Sequence, residues 1–259
     1  MTEFLIVEKN FSKATAYYHK YASAQKYAAE MLSDICVNRC ECSLTPESIL
    51  EVGCGTGFMT SHLFGMFPKA DFTIADISSE MLESCKKNTR FLRKTKAISA
   101  EFKKINIENR VPSGSFDLII SSLTFQWIEK LELLMSNLSH ILSDKGMLVF
   151  STLTEKTFMN LKQIFNEEGI VFPGPTLFPS GSIIKSCEAF ADIQCDEVVY
   201  TEHFSSLFNC LKHIQKTGAG NASGVYTNPV KLKNILKKYP DSFDLNYHIL
   251  FISAKKMGI

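Results

Sequence analysis

A glycine-rich loop with a nearby acid carries the strongest chemical signal in the sequence. Gly53-Cys54-Gly55-Thr56-Gly57 follows the short apolar run that ends in Glu51-Val52, and glycines let a backbone turn sharply and approach a ligand closely. The spacing is neither the G-x-G-x-x-G of dinucleotide-binding loops nor a P-loop. Asp76 comes 19 residues after Gly57 and offers two acceptor oxygens to a ligand with two hydroxyl donors. The pattern predicts a ligand site, and the alternative is a glycine turn between two core elements.

Strand-like and helix-like segments alternate around this loop, which is typical of a parallel, doubly wound α/β sheet. A helix is predicted over 11–32 and a Cys-rich connector follows it. The predicted strands are 48–52, 71–76, 101–107, 115–121 and 147–151, with helices to about 67, at 79–90 and at 130–142, and a turn at 143–146. Beyond 153 the alternation loosens, with helices near 155–166, 205–216 and 229–238 and strands at 195–201 and 247–254.

Composition excludes several classes of protein. The 259 residues are 45% hydrophobic and carry a net charge of +1, so the chain is neither disordered nor a nucleic-acid or membrane binder through bulk charge. No signal-peptide pattern or apolar run of bilayer-spanning length is present. The eight cysteines are spread irregularly, as expected of core thiols in a reduced, cytoplasmic protein. Cys36, Cys40 and Cys42 lack a fourth ligand nearby, so no metal site is predicted.

The loop with its preceding acid, Glu51, resembles motif I of class I S-adenosylmethionine (SAM) methyltransferases. The resemblance implies a Rossmann-like, mostly parallel seven-stranded sheet flanked by helices, with an N-terminal lid helix and helical cap insertions. The chain is expected to be a single domain with four parts: 1–45 (lid helix and connector), 46–153 (SAM-binding core), 154–225 (cap and sixth strand) and 226–259 (last helix and strand). Asp76 would bridge the ribose hydroxyls. The other implied cofactor-binding residues are Gln25, Glu51, Gly53, Cys54, Gly55, Gly57, Ile77, Asn106, Ile107 and Ser122.

The reaction is constrained by what the sequence lacks. The Asn/Asp-Pro-Pro-aromatic motif typical of amide- and adenine-modifying enzymes is absent from 121–127. His19, His62 and His140 fall on predicted helices, so none is a suitable general base. A carboxylate, with a pKa near ~4, needs no base to attack a sulfonium methyl. Tyr18, Phe125 and Trp127 could form aromatic walls that position such a substrate, and the alternative for Phe125 and Trp127 is core packing.

Five segments in order resemble the malonyl-[acyl-carrier protein] O-methyltransferases of biotin synthesis. They are Phe11-Ser12-Lys13-Ala14 with Tyr18, Ala22 and Gln25; Leu123-Thr124-Phe125-Gln126-Trp127; Phe150-Ser151-Thr152-Leu153; Leu211 to Ala219; and Tyr247-His248-Ile249-Leu250. The resemblance implies methylation of the free carboxyl of a malonyl thioester, which hides its charge from fatty-acid synthesis and primes pimeloyl and biotin synthesis. The sequence departs from the family at Asn106, Ser122 and Thr217. Rival interpretations are methylation of another small acid and a non-catalytic SAM-binding accessory protein.

The resemblance implies an acyl carrier protein with a malonyl group, or malonyl-CoA, as the partner. Neither nucleic acid nor a membrane is expected as a partner, and the protein is expected to be a monomer. Lys212, His213 and Lys216 share a predicted helix and could meet the carrier's phosphate or acidic helix. Lysines at 231–238 form a second basic helix, and either cluster could be an ordinary solvated face. Tyr18 and Gln25 are seven residues apart and therefore share a helix face. The resemblance makes that helix a lid over the SAM pocket, and the alternative is an ordinary amphipathic helix.

Overall fold

One seven-stranded sheet forms the centre of the protein. The computed structural model describes residues 3–40, 45–219 and 229–257. The strands are Ser48–Val52 (β1), Asp71–Asp76 (β2), Ser99–Lys104 (β3), Phe116–Ser122 (β4), Leu142–Leu153 (β5), Phe190–Phe204 (β6) and Phe243–Lys256 (β7). Their order is β3-β2-β1-β4-β5-β7-β6. Strands β1 to β5 pair in parallel, and β7 pairs antiparallel with both β5 and β6. The predicted mostly parallel seven-stranded sheet is confirmed.

Helices cover both faces of this sheet. They are Glu3–Tyr21 (α1), Ser23–Cys40 (α2), Phe58–Met66 (α3), Ser79–Asn88 (α4), Arg90–Lys96 (α5), Leu131–Ile141 (α6), Met159–Glu167 (α7), Ser180–Lys185 (α8), Leu207–Lys216 (α9) and Pro229–Lys238 (α10). Successive side chains of a strand point to opposite faces. Ile49 therefore packs with residues of α2 and α3, whereas Leu50 packs with residues of α6. Burial on both faces explains why the inner strands read as continuous apolar runs.

The N-terminal helix is divided, where the sequence predicted one helix over 11–32. The chain leaves helical geometry at Ala22, although Ala22 still donates to the Tyr18 carbonyl at 2.8 Å and accepts from Lys26 N–H at 2.9 Å. The two parts have different packing partners: α1 contacts α4 and α9, whereas α2 contacts α3, β4, β5 and β7. The break lets α2 follow the sheet while α1 crosses the strand ends.

Other boundaries also differ from prediction. Strand β3 begins and ends earlier than the predicted 101–107, and the predicted turn at 143–146 lies within β5. Helix α5 was not predicted, because it is rich in basic residues and has no fully buried side chain to give an apolar pattern. Strands β6 and β7 are longer than predicted because their outer ends form a two-stranded antiparallel ribbon.

The described cysteines form no disulfide. Cys36, Cys54, Cys85, Cys187 and Cys210 are buried and Cys195 is exposed; Cys42 and the side chain of Cys40 fall outside the described residues. Within residues 3–40, 45–219 and 229–257, no cluster of three or more His, Cys, Asp or Glu side chains could hold a metal ion. None of the helices in those ranges has the length and apolarity needed to cross a bilayer.

Candidate active site at the carboxyl ends of the strands

A cavity opens where β1, β2 and β4 end, and α1 covers it. It encloses about 810 Å³ of empty space, a volume that includes the solvent at its open mouth. Its wall comes from α1 (Val7, Phe11, Tyr18), β1 and its loop (Val52, Gly53, Gly55), β2 and α4 (Ala75, Asp76, Ile77, Met81), the segment after β3 (Ile105, Asn106, Ile107, Glu108) and the segment after β4 (Ser122, Leu123, Thr124, Trp127, Ile128). Ligands of open α/β sheets bind at this edge.

The start of the glycine loop accepts no side chain. Gly53 has φ +76°, and a Cβ placed on it would lie 2.0 Å from the Thr124 hydroxyl oxygen. The Gly53 N–H donates to the Ala75 carbonyl at 2.8 Å, which fixes the loop to β2. Opposite, Leu123 has φ +47°, a conformation that costs energy for a branched residue. Two chain segments thus approach closely at the cavity wall.

Asp76 stands at the end of β2 with only 7% of its surface exposed. Its Oδ2 accepts the Gly55 N–H and its Oδ1 accepts the Ser78 N–H, both at 2.9 Å. Burial raises the pKa of Asp76 to about 6, against the lowering effect of these hydrogen bonds and of one from the Ile77 backbone. The carboxyl is therefore ionised at pH 7, and it faces the cavity as an acceptor.

Glu51 lies behind the loop instead of on the cavity wall. Its side chain is 1% exposed, and Oε2 accepts the Thr60 hydroxyl at 2.7 Å. Burial raises the pKa of Glu51 to about 8, with the Thr60 hydrogen bond opposing that effect and the Asp76 charge adding to it. Oε1 has no hydrogen-bond partner among the described residues. This carboxyl joins β1 to α3 behind the cavity wall, and its expected contact with the cofactor stays a prediction.

Three more residues expected at the cofactor lie off the cavity wall. Cys54 is 5% exposed and belongs to the core. Gly57 caps α3 with φ +94°, where a Cβ would lie 3.1 Å from the Cys85 sulfur. Gln25 sits on α2, beyond the break at Ala22, so it shares no helix with Tyr18. Cys54 and Gly57 shape the loop, and Gln25 stands outside the site.

The three aromatic residues expected at the substrate separate into two environments. Phe125 is fully buried against Phe150, with ring centroids 5.0 Å apart, so its expected positioning role is corrected to core packing. Trp127 and Tyr18 line the cavity, and the Phe11 ring stands edge-on to Trp127 at 5.3 Å. Phe125 and Trp127 both belong to the 3₁₀ turn over 125–127, which places the Phe125 side chain in the core and the Trp127 side chain on the cavity wall.

Tyr18 is a protonated hydrogen-bond donor. Burial, and secondarily the Asp76 charge, raises the pKa of Tyr18 above its ordinary value. Its hydroxyl makes no hydrogen bond within the described ranges, although the ring is only 9% exposed. Because Tyr18 lines the cavity, this hydroxyl is available to a ligand oxygen.

Asn106, Ile107, Ile77 and Ser122 all lie on the wall as expected. The Asn106 side-chain carbonyl accepts the Glu108 N–H at 3.0 Å, which is the local turn that Asn commonly makes. Asn106 is therefore a turn former that also lines the wall, and its contact with adenine stays a prediction.

Some wall residues were not predicted. Val7 was missed because the predicted helix began only at residue 11, whereas α1 begins at Glu3. Met81 lies in the first turn of α4, three residues after the Ser78 N-cap, so its place after Asp76 could have indicated it. Thr124 fills the space that Gly53 leaves open, and no feature of the sequence alone connects those two positions.

The expected partner-binding residues do not share one surface. Lys212 is exposed and Lys216 is half-buried, with its ammonium 3.7 Å from the Tyr17 ring centroid. His213 points inward: its side chain is 13% exposed, and Nε2 lies 3.0 Å from Oε2 of Glu202. Glu202 also accepts the hydroxyls of Ser23 and Tyr247. His213 is thus part of a buried cluster, and its expected contact with a partner is corrected.

The wall fits SAM, the co-substrate that the resemblance implies. A ribose needs an acceptor such as the ionised Asp76, and the bare backbone at Gly53 and Gly55 permits close approach of a ligand. The apolar wall residues Ile77, Ile107 and Ile128 suit the faces of an adenine ring. The ligand-free wall therefore already holds the groups that a nucleoside requires.

Comparisons with known proteins agree with this geometry. The family described as "Methyltransferase domain" matches residues 50–148. The solved structure of YcgJ from Bacillus subtilis superposes with a TM-score of 0.59, at 11% identity over 89% of this chain and 100% of that one. Coclaurine N-methyltransferase, solved with N-methylheliamine and SAH, gives a TM-score of 0.54 at 19% identity over 88% of this chain and 72% of that one. These likenesses show the class I methyltransferase fold.

Curated relatives extend over nearly the whole chain. The malonyl-[acyl-carrier protein] O-methyltransferase of Bacillus anthracis is 32% identical over 98% of this chain and 97% of its own length. The protein of the same name from Bacillus cereus has the same identity and coverage. The similarity thus extends over the N-terminal helices and the last strand as well as residues 50–148. The chain belongs to the malonyl-[acyl-carrier protein] O-methyltransferase family.

Proposed function

We propose that this protein transfers a methyl group from SAM to the free carboxylate of a malonyl group carried by an acyl carrier protein. The observation that carries the proposal is the 32% identity over 98% of the chain to relatives with that named activity. The cavity supports it, because it combines a nucleoside-binding edge with an aromatic end formed by Phe11, Tyr18 and Trp127. The methyl ester would hide the malonyl charge so that the unit can prime pimeloyl and biotin synthesis.

The cofactor would be held mainly by backbone and by one charge. Asp76 would accept the two ribose hydroxyls, and its existing hydrogen bonds from Gly55 and Ser78 already orient it. The segment at Asn106 and Ile107 would contact the adenine, and the backbone at Gly53 and Gly55 would face the methionine end. Ser122 and Ile77 would complete the wall, while Glu51, Cys54 and Gly57 support the loop from behind.

The reaction needs alignment more than acid–base chemistry. SAM supplies a methyl group on a positively charged sulfur. The substrate carboxylate is ionised at neutral pH, so one of its oxygens can form the new C–O bond as the C–S bond breaks. S-adenosylhomocysteine leaves and no proton is transferred. Both charges disappear in this step, so a dry cavity disfavours the charged reactants relative to the transition state.

Tyr18 and Trp127 would position the carboxylate. The Tyr18 hydroxyl is a donor without a protein partner, and such a donor can orient one carboxylate oxygen while the other attacks. Trp127 and Phe11 would exclude water from the reacting oxygen. The carboxylate would therefore be held by few groups, which keeps it nucleophilic.

The test is transfer of radiolabelled methyl from SAM to malonyl-carrier protein, with malonyl-CoA and free small diacids run in parallel. We expect alkali-labile label on the malonyl carrier and its loss in Asp76→Ala. Label on a free diacid alone would contradict the proposal in favour of another carboxyl methyltransferase. SAM binding without label on any acceptor would contradict it in favour of an accessory protein.

A further inference from the structure

The outer face of α1 carries a stripe of lysines. Lys9, Lys13 and Lys20 are exposed and lie within about 40° of one another around the helix axis, at ~100° per residue. Tyr17 lies about 40° further around the helix than Lys13, beside the stripe, with 50% of its surface exposed. The opposite side of α1 forms the cavity wall. One helix thus has its basic side turned outward and its apolar side over the candidate active site.

Helix α9 extends this stripe. It runs antiparallel to α1: His213 contacts the Tyr21 ring near the end of α1, and Gly218, just past α9, packs against Phe11 and Ala14. Lys212 is exposed on α9, and Lys216 lies over the Tyr17 ring at 3.7 Å. We call Lys9, Lys13, Lys20, Lys212 and Lys216, with Tyr17 among them, the lysine face.

The lysine face is not neutralised by the protein itself. Across residues 3–40, 45–219 and 229–257, none of its five lysines has a carboxylate within 4 Å. Some lysines elsewhere are paired: Lys104 with Glu8 and Lys238 with Glu168, each at 2.8 Å. Because the whole chain has a net charge of only +1, five unpaired cations on two adjacent helices make a local positive field.

We propose that the lysine face docks the acidic surface of the acyl carrier protein, an inference that rests on the proposed function. A surface of unpaired lysines is complementary in charge to an acidic partner. Tyr17 supplies an apolar contact in the middle of the lysines, where an interface anchor is most effective. Because Tyr18 is on the side of α1 opposite Lys9, Lys13 and Lys20, the acyl-bearing prosthetic arm of a docked carrier would pass the edge of α1 to reach the cavity.

The lysine face differs from the partner-binding residues predicted from the sequence. His213 is withdrawn because it lies in the buried cluster with Glu202. The α1 lysines and Tyr17 are added because they continue the stripe from α9. The lysines of α10 are left out, since Lys231 donates to the Gly169 carbonyl and Lys238 pairs with Glu168 on the α7 side.

The experiment compares two acceptors that share the reacting group. One is malonyl-carrier protein, and the other is the malonyl thioester of N-acetylcysteamine, which keeps the end of the arm without the carrier. We expect Lys13→Glu/Lys20→Glu/Lys212→Glu to raise KM for the carrier substrate about tenfold or more, with kcat/KM for the small thioester unchanged. The matched control is Lys94→Glu/Lys233→Glu/Lys237→Glu, which changes the same charge at exposed lysines of α5 and α10 and should leave both unchanged.

A binding measurement separates this proposal from the proposed function. Fluorescence anisotropy of labelled carrier protein reports docking whether or not methyl transfer occurs. Tighter carrier binding by the wild type and the control than by the lysine-face variant supports the docking surface, even if no acceptor is methylated. Equal carrier binding by all three proteins overturns it, even if the malonyl carrier is methylated. An equal loss of activity on both thioesters also overturns it.

Discussion

The Asp76 carboxylate and the Gly55 N–H are joined by a 2.9 Å hydrogen bond that spans 21 residues of sequence. It ties the acid at the end of β2 to the middle of the glycine loop after β1. The loop and the acid are therefore positioned together before any ligand arrives. Such preorganisation spares a ligand the cost of ordering its own site.

Asp76→Asn should weaken SAM binding about tenfold or more, because it replaces charge-assisted hydrogen bonds to the ribose with neutral ones. Titration calorimetry measures this change, with Asp71→Asn at the exposed first residue of β2 as the control. Binding should also depend on pH. The pKa of Asp76 is about 6 in the free protein, and ribose hydroxyls favour its charged form, so affinity should fall as pH drops below about 6. A pH-independent affinity between pH 5 and 7 would contradict this role.

Tyr18→Phe should lower kcat/KM about tenfold without altering stability. The hydroxyl makes no hydrogen bond to a described protein group, so its removal should chiefly affect a bound ligand, and a hydrogen bond to a charged oxygen is worth about 1.5–3 kcal/mol. Initial rates with the malonyl acceptor and a thermal melt measure the two effects. Tyr21→Phe, at the end of the same helix, is the control and should retain full activity. Unchanged kcat/KM in Tyr18→Phe would remove this residue from the site.

Gly53→Ala should abolish SAM binding and destabilise the fold by about 2 kcal/mol or more, because φ is +76° and the new Cβ would meet Thr124. Gly65→Ala is the matched control. Gly65 lies in α3 with no atom within 4 Å of an added Cβ, so alanine there should stabilise the protein by about 0.5–1 kcal/mol. Urea unfolding with a parallel SAM titration measures both variants. Normal SAM binding by Gly53→Ala would mean that the cofactor does not approach this loop.

Glu51→Gln should remove a pH dependence from folding stability. Burial holds the pKa of Glu51 near 8 in the folded state, against an ordinary value of 4.5, so the folded state keeps a proton that the unfolded chain releases. Wild-type stability should therefore fall as pH rises from 4.5 to 8, by at most about 1.4 kcal/mol per pH unit from this group. Asp76, whose pKa is also raised by burial, makes stability fall with rising pH in the same way below about pH 6.

The measurement is the urea midpoint of both proteins between pH 6 and 9. The difference between Glu51→Gln and wild type should widen with pH up to about 8. Glu132→Gln on the exposed side of α6 should run parallel to wild type throughout. If Glu51→Gln also runs parallel, Glu51 is ionised in the folded protein, which contradicts a raised pKa.

The inner strands could be predicted from sequence because their environment is uniform. Strands β1 and β2 match their predicted bounds, since both faces are buried and a turn or glycine ends each run. The break at Ala22 could not be predicted, because the helical pattern continues through it and neither glycine nor proline marks it. It arises from packing, as α1 and α2 contact different parts of the fold.

Some residues of the candidate site could likewise be predicted from the sequence, and others could not. Gly53 and Asp76 could be identified because the glycine loop and the acid that follows it have a recognisable spacing in the sequence. Phe125 and Trp127 were not separable, because they are two positions apart on a turn whose direction only the fold decides. The inward direction of His213 could have been read from its place next to the buried Cys210 and Ile214 on α9. From the sequence, His213 was assigned to a partner contact because the residue is basic, without use of its position on the helix.

Strand β7 has a consequence for how the protein is made. It pairs with β5 on one side and β6 on the other, yet it follows both in the chain and is translated after them. Until it emerges from the ribosome, β5 and β6 each present an unpaired edge, the feature through which nascent chains aggregate. Synthesis must therefore reach Lys256 before the sheet can close, and loss of β7 would split β6 from the remaining strands.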